Sequence, residues 1–128
     1  MERATELFVL ITAVVISLSH ILQARTWAEL YAAMARQGRL GAFANGALSL
    51  APGAAIVAGH GHVWSWPAAV LTLFGWALVI KSAVAFLAPE LALRSMTQAG
   101  ARSGRGFVVG GFVLLAISGV AAYALWAE

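Results

Sequence analysis

The sequence has no cysteine, three prolines and five acidic side chains in 128 residues. Without cysteine there is no disulfide, no thiolate nucleophile and no cysteine-ligated metal or cluster. Charged residues make up only 10% of the chain, against about 25% in soluble domains. The sequence contains no Gly-rich phosphate loop, no Ser/His/Asp arrangement, no paired carboxylates and no HExxH. We therefore expect no enzyme and no bound cofactor. What fills the chain instead is apolar: 62% of its residues are hydrophobic and its mean hydropathy is +0.87. Such a chain takes the lipid bilayer as its solvent.

Since each helical span needs about 20 apolar residues, four spans with short links nearly use up this length. Four apolar runs occur, at 5–23, 40–59, 66–88 and 106–127. None alternates in polarity as barrel strands do, so helices are expected. The expected fold is an all-α, polytopic membrane protein with one domain over 1–128. Its four transmembrane helices would form two helical hairpins. Residues 7–18 could pass for a signal-peptide core, but Met1 to Glu6 carry no positive excess and no Ala-x-Ala cleavage site directly follows the core. We expect a retained first span.

The sequence pI of 10.2 invites a nucleic-acid reading, but the net charge is only +3 and the arginines fall in two loops. No nucleic acid is expected as a partner. Arg25, Arg36 and Arg39 lie between spans one and two, and Arg94, Arg102 and Arg105 between spans three and four. The positive-inside rule makes these loops cytoplasmic and places both termini outside. Trp64, Trp66, Tyr123 and Trp126 then anchor the outer interface, with Trp27 and Tyr31 on the inner side. Trp27, Leu30, Tyr31 and Met34 recur at i, i+3, i+4 and i+7, which predicts a short amphipathic helix in the interface after span one. A shorter one, starting at Pro89, is expected after span three. The halves share this plan, and Phe43-x-x-Gly46 and Phe107-x-x-Gly110 suggest an internal repeat with an offset of 64 residues.

Lys81 interrupts the third run, and a charge at membrane depth costs at least about 2.5–3.5 kcal/mol on insertion scales. It lies roughly 12 Å from the inner end of its helix at helical rise. At similar depth are Ser17 and His20 in span one and Asn45 and Ser49 in span two. Lys81, His20, Asn45, Ser49 and Ser17 are therefore the candidate polar pocket. The competing reading has Lys81 snorkelling its stem to the inner surface. Pro52 shares a face with Asn45 and Ser49 and frees backbone carbonyls, which favours span two as the pocket wall. His60-Gly61-His62 is a weak metal candidate without a third ligand in sequence, and solvated loop histidines are expected there. His20 and His60 differ too much in depth to hold a haem. Gly46, Gly53, Gly106 and Gly110 are placed for close helix packing, within the bundle or between subunits.

His62-x-Trp64-x-Trp66-Pro67, followed by Gly75-Trp76, Lys81 and Pro89, resembles a group of small, uncharacterised four-span bacterial membrane proteins with a W-x-W-x…G-W…K…P third-span pattern. The similarity covers residues 7 to 90. It implies a bacterial inner-membrane location and a recurring lysine, and no activity. The four-span small multidrug transporters are similar in size, but the glutamate in the middle of their first helix has no counterpart here. The expected function is contact with lipid or protein, as an accessory or assembly subunit of a membrane complex or as a homo-oligomer. The alternative is a small oligomeric transporter or channel that uses the Lys81, His20 and Asn45 region.

Overall fold

The computed structural model describes residues 2–60, 63–101 and 104–127. Among them there are six α-helices and no strand: α1 (Glu2–Leu22), α2 (Ala24–Arg36), α3 (Arg39–Gly59), α4 (Trp66–Leu87), α5 (Pro89–Ala101) and α6 (Arg105–Ala127). Four of these, α1, α3, α4 and α6, are long and apolar enough to cross a membrane. The chain is thus a multi-pass membrane protein by the length and composition of its helices.

Local sequence explains the helix ends. Ser65 caps α4 by accepting the Ala68 N–H at 3.4 Å, and Pro67 occupies the first turn, where its missing N–H costs nothing. Gly38 (φ +65°) and Gly104 (φ +87°) turn the chain into α3 and α6 through the left-handed region, which a side chain would strain. α5 is not the shorter helix expected from the sequence. It has 13 residues, as α2 does, because Gly100 lies against the Ala32 backbone and carries the helix to residue 101 in contact with α2.

The main packing pairs are α1 with α6, α3 with α4, and α2 with α5. Glycines let these pairs approach closely. A Cβ on Gly46 would sit 2.9 Å from the Phe86 ring and 3.0 Å from the Ala85 methyl. On Gly111 it would meet Ile21 at 2.6 Å and the Ser17 carbonyl at 2.9 Å. Gly106 and Gly110 have nothing within 4 Å of such a Cβ. Within the bundle the close contacts are made at Gly46, Gly53 and Gly111, the last standing one position and about 100° around the helix from Gly110.

That shift resets the internal repeat. α5 begins and ends 65 residues after α2 (89 against 24, 101 against 36). By the same offset of 65, Gly46 corresponds to Gly111, His20 to Ala85 and Ile21 to Phe86, so the two glycine contacts are one contact made twice. Ser17 and Ser82 correspond too, are both fully enclosed, and both donate to a carbonyl three residues earlier. Exchanging the halves turns the α1 and α6 pair into α4 and α3 and leaves α2 with α5. The packing thus has an approximate twofold axis running along the bundle.

Corresponding residues share a buried cluster near that axis, as Ile56 and Ala121 do with Val9, Ala13 and Leu71. A second cluster, Met34, Ala42, Ala85, Ala92 and Met96, joins α2 and α5 to the long helices. Large apolar side chains such as Ile11, Val15, Leu73 and Val113 point outward, as a lipid-facing surface requires.

The glycine contacts differ in what they tolerate. A Cβ on Gly53 would meet the Leu78 Cβ at 2.8 Å and the Val79 backbone nitrogen at 3.0 Å, neither of which can swing away. Gly53→Ala should destabilise the fold by about 1–3 kcal/mol, whereas Gly110→Ala should be neutral or slightly stabilising. Thermal unfolding of both variants in detergent checks this, and equal behaviour would contradict the packing described.

Candidate functional site

Between the helix pairs lies a cavity of about 360 Å³. Its lining includes three corresponding pairs, Ala13 with Leu78, Ile16 with Lys81 and Ser49 with Leu114, so it lies on the axis relating the halves. His20, Asn45 and Pro52 also line it, together with Trp27 and Tyr31. Of the five pocket candidates in the sequence, four line this one cavity: Lys81, His20, Asn45 and Ser49. Ser17 does not. It is fully enclosed beside Gly111, and its hydroxyl is spent on the Val14 carbonyl at 2.9 Å.

α2 builds the polar end of the cavity. The Trp27 Nε1–H donates to the Ser19 hydroxyl at 2.8 Å, which fastens α2 to α1. Its indole stacks on the His20 ring at 4.2 Å between centroids, and Tyr31 meets Phe107 edge-on at 5.0 Å. Trp27 and Tyr31, expected as interfacial anchors, are thus half-buried walls. Lys81 Nζ donates to the Tyr31 hydroxyl at 3.2 Å and is 5.7 Å from the ring centroid. Hydrogen bonding at the hydroxyl end is the closer contact. Lys81 is exposed, and among the described residues no carboxylate pairs with it.

His20 Nδ1 donates to the Ile16 carbonyl at 2.9 Å, since a carbonyl can only accept, and in the neutral ring this leaves Nε2 as the acceptor. Asn45 and Ser49 are buried, with the Ser49 hydroxyl back-bonded to the Asn45 carbonyl at 3.4 Å. Pro52 has no N–H to give the Leu48 carbonyl four residues earlier. Leu48 also lines the cavity. The arrangement offers a fixed cation, an oriented imidazole and an amide beside an apolar wall.

A second polar group lies at the opposite end of the bundle. Glu6 of α1 and His60, at the end of α3, are 2% and 1% exposed, and His60 Nε2 is 3.4 Å from Glu6 Oε1. The Thr72 hydroxyl of α4 donates to the His60 carbonyl at 2.8 Å, and His60 Nδ1 is 3.3 Å from the Thr72 hydroxyl oxygen. This overturns the expectation of a solvated loop histidine without a carboxylate nearby. His60 closes α3 with its N–H on the Ile56 carbonyl at 2.8 Å, and the side chain turns inward against α1. His62 lies outside the described residues. Among the described residues no group of three metal-ligating side chains forms.

Glu6 is absent from the sequence-derived candidates because those are the residues at the depth of Lys81. The available signal was that Glu6 and His60 both stand at the ends of their runs away from the Lys81 layer. Comparison with protein-family models, with curated proteins and with solved structures found no match. Site geometry is what bears on function.

The 65-residue correspondence supplies a matched control for the Glu6 and His60 pair. Their counterparts are Leu71, fully buried, and Leu125. Replacing both together, Glu6→Leu with His60→Leu, should leave stability unchanged or raised, because well-packed apolar residues commonly equal a buried polar pair. His60→Leu alone should cost about 1–3 kcal/mol by stranding the carboxyl group. Unfolding midpoints of the two variants test the coupling, and a double variant less stable than the single one would refute it.

Proposed function

We propose that this chain is a small integral membrane protein that works by holding an amphipathic anion, a lipid or lipid-like molecule, in the axial cavity. The observation that carries the reading is the union in one cavity of the Lys81 ammonium with an apolar wall of Ile16, Phe74, Leu78 and Leu114. A headgroup bearing phosphate or carboxylate takes the lysine and the Tyr31 hydroxyl, and an acyl chain takes the wall. Polar and ionisable side chains inside membrane spans most often mark such places, and sites at the interface of repeats recur among membrane carriers.

In this reading the arginine loops face the cytoplasm, and α2 and α5 lie in the inner interface. The amphipathic spacing of Trp27, Tyr31 and Met34 and the Arg39 to Glu90 pair, 3.0 Å long and exposed, support that placement. The resemblance to small bacterial membrane proteins supports the bacterial inner membrane. A second reading, as a subunit beside other membrane proteins or another copy of itself, is favoured by the open surface at Gly106, Gly110 and Gly119 on α6.

The cavity reading is tested on Lys81, whose counterpart Ile16 shows that an apolar residue fits the fold there. Native mass spectrometry of the wild-type protein, released from phosphatidylglycerol-containing membrane, should show retained anionic lipid. Lys81→Met should reduce that retention by about tenfold, the effect of losing one charge-assisted contact. Equal retention by the variant would remove Lys81 from the function. Stoichiometric co-purification of other membrane subunits, with no lipid retained, would favour the second reading.

A further inference from the structure

We propose that the cavity at the Glu6 end of the bundle is a binding site for a small protonated amine, an alkylammonium-type cation, with Glu6 as its anionic partner. This site is separate from the axial cavity and does not depend on the reading given for it. A cavity of about 330 Å³ opens there, within the range of small-ligand sites, and Glu6 and His60 form part of its wall. One Glu6 oxygen meets His60, while the other, Oε2, is enclosed and has no hydrogen-bond partner among the described residues. A carboxylate can accept on both oxygens, so Glu6, which forms part of the cavity wall, has one acceptor left without an N–H donor.

The rest of the wall selects what can bring that donor. Glu2 adds a second carboxylate, and among the described residues no lysine or arginine lines the cavity, so an anion is opposed. Trp66 and Tyr123 stand 5.1 Å apart between centroids and give the cavity an aromatic side, which attracts cations through the ring faces. A bare metal ion is a poorer match, because the described residues bring no three ligating side chains together. An alkylammonium needs one carboxylate, an aromatic surface and room for a short chain. All three occur here. Packing does not demand the polar pair, since the corresponding positions in the other half are Leu71 and Leu125.

The test uses the full chain in phosphatidylcholine nanodiscs, with n-butylammonium as the probe and n-butanol and butyrate as shape controls. Saturation-transfer NMR, corrected with empty nanodiscs, follows binding. Saturable binding of n-butylammonium, at least about tenfold tighter than n-butanol and with butyrate excluded, is the expected result. Glu6→Gln should weaken it by about tenfold or more. Should that variant fail to fold, the Glu6→Leu/His60→Leu double variant, which carries the residues of the other half, serves instead and should not discriminate the ammonium from the alcohol. Equal binding of ammonium and alcohol by the wild-type protein would overturn the proposal, as would ammonium binding unchanged in either variant.

Discussion

Helices in a bilayer gain no hydrophobic free energy by leaving lipid for one another, so close contact through small residues is the constraint on which this bundle depends. Gly46, Gly53 and Gly75 bring α3 against α4, and Gly111 brings α1 against α6. Each pair is tight enough that an added methyl group would collide with backbone or Cβ atoms. Two tight pairs placed side by side do not close equally well in the middle. The axial cavity follows from that: it lies between pairs, where the facing side chains are Ile16, Leu78, Leu114 and Lys81 rather than glycines.

Against this frame the polar residues form a pattern of their own. His20, Asn45 and Ser49 correspond to Ala85, Gly110 and Leu114, and Glu6 and His60 to two leucines. The same helical positions are thus filled once by polar and once by apolar or small residues within a single fold. Packing accepts either, and burying the polar set carries the greater desolvation cost. The first half holds nearly all of this chemistry. The second half contributes Lys81 and Thr72.

Long-range regularities were legible in the sequence, and contacts decided by a single position were not. Run length marked α1, α3, α4 and α6, and the spacing of Trp27, Tyr31 and Met34 marked α2. Depth along a helix is fixed by its rise, so Lys81, His20, Asn45 and Ser49 could be assigned to one layer before their contacts were known. Depth does not fix the direction a side chain faces, and Ser17 shares their depth but not their cavity. The Phe-x-x-Gly offset of 64 differs by one residue from the 65 of the packing because Phe43 and Phe107 share a motif but not a contact. Gly111, packed as Gly46 is, gives the true register. His60 was illegible for another reason. It stands at the boundary between helix and loop, and only the meeting of α1, α3 and α4 decides whether such a residue faces water or a carboxylate.

The placement of the axial cavity has a consequence for the shape of molecule it suits. Two identical half-chains assembled about a strict dyad would present identical walls to anything bound on the axis, and could match only a ligand that looks the same from both sides. Joining the halves in one polypeptide lifts that obligation. Ile16 can then face Lys81, and Leu114 can face Ser49, so a palindromic architecture encloses a space with a head side and a tail side. Covalent linkage, in this view, is what allows a nearly symmetric scaffold to recognise an asymmetric guest.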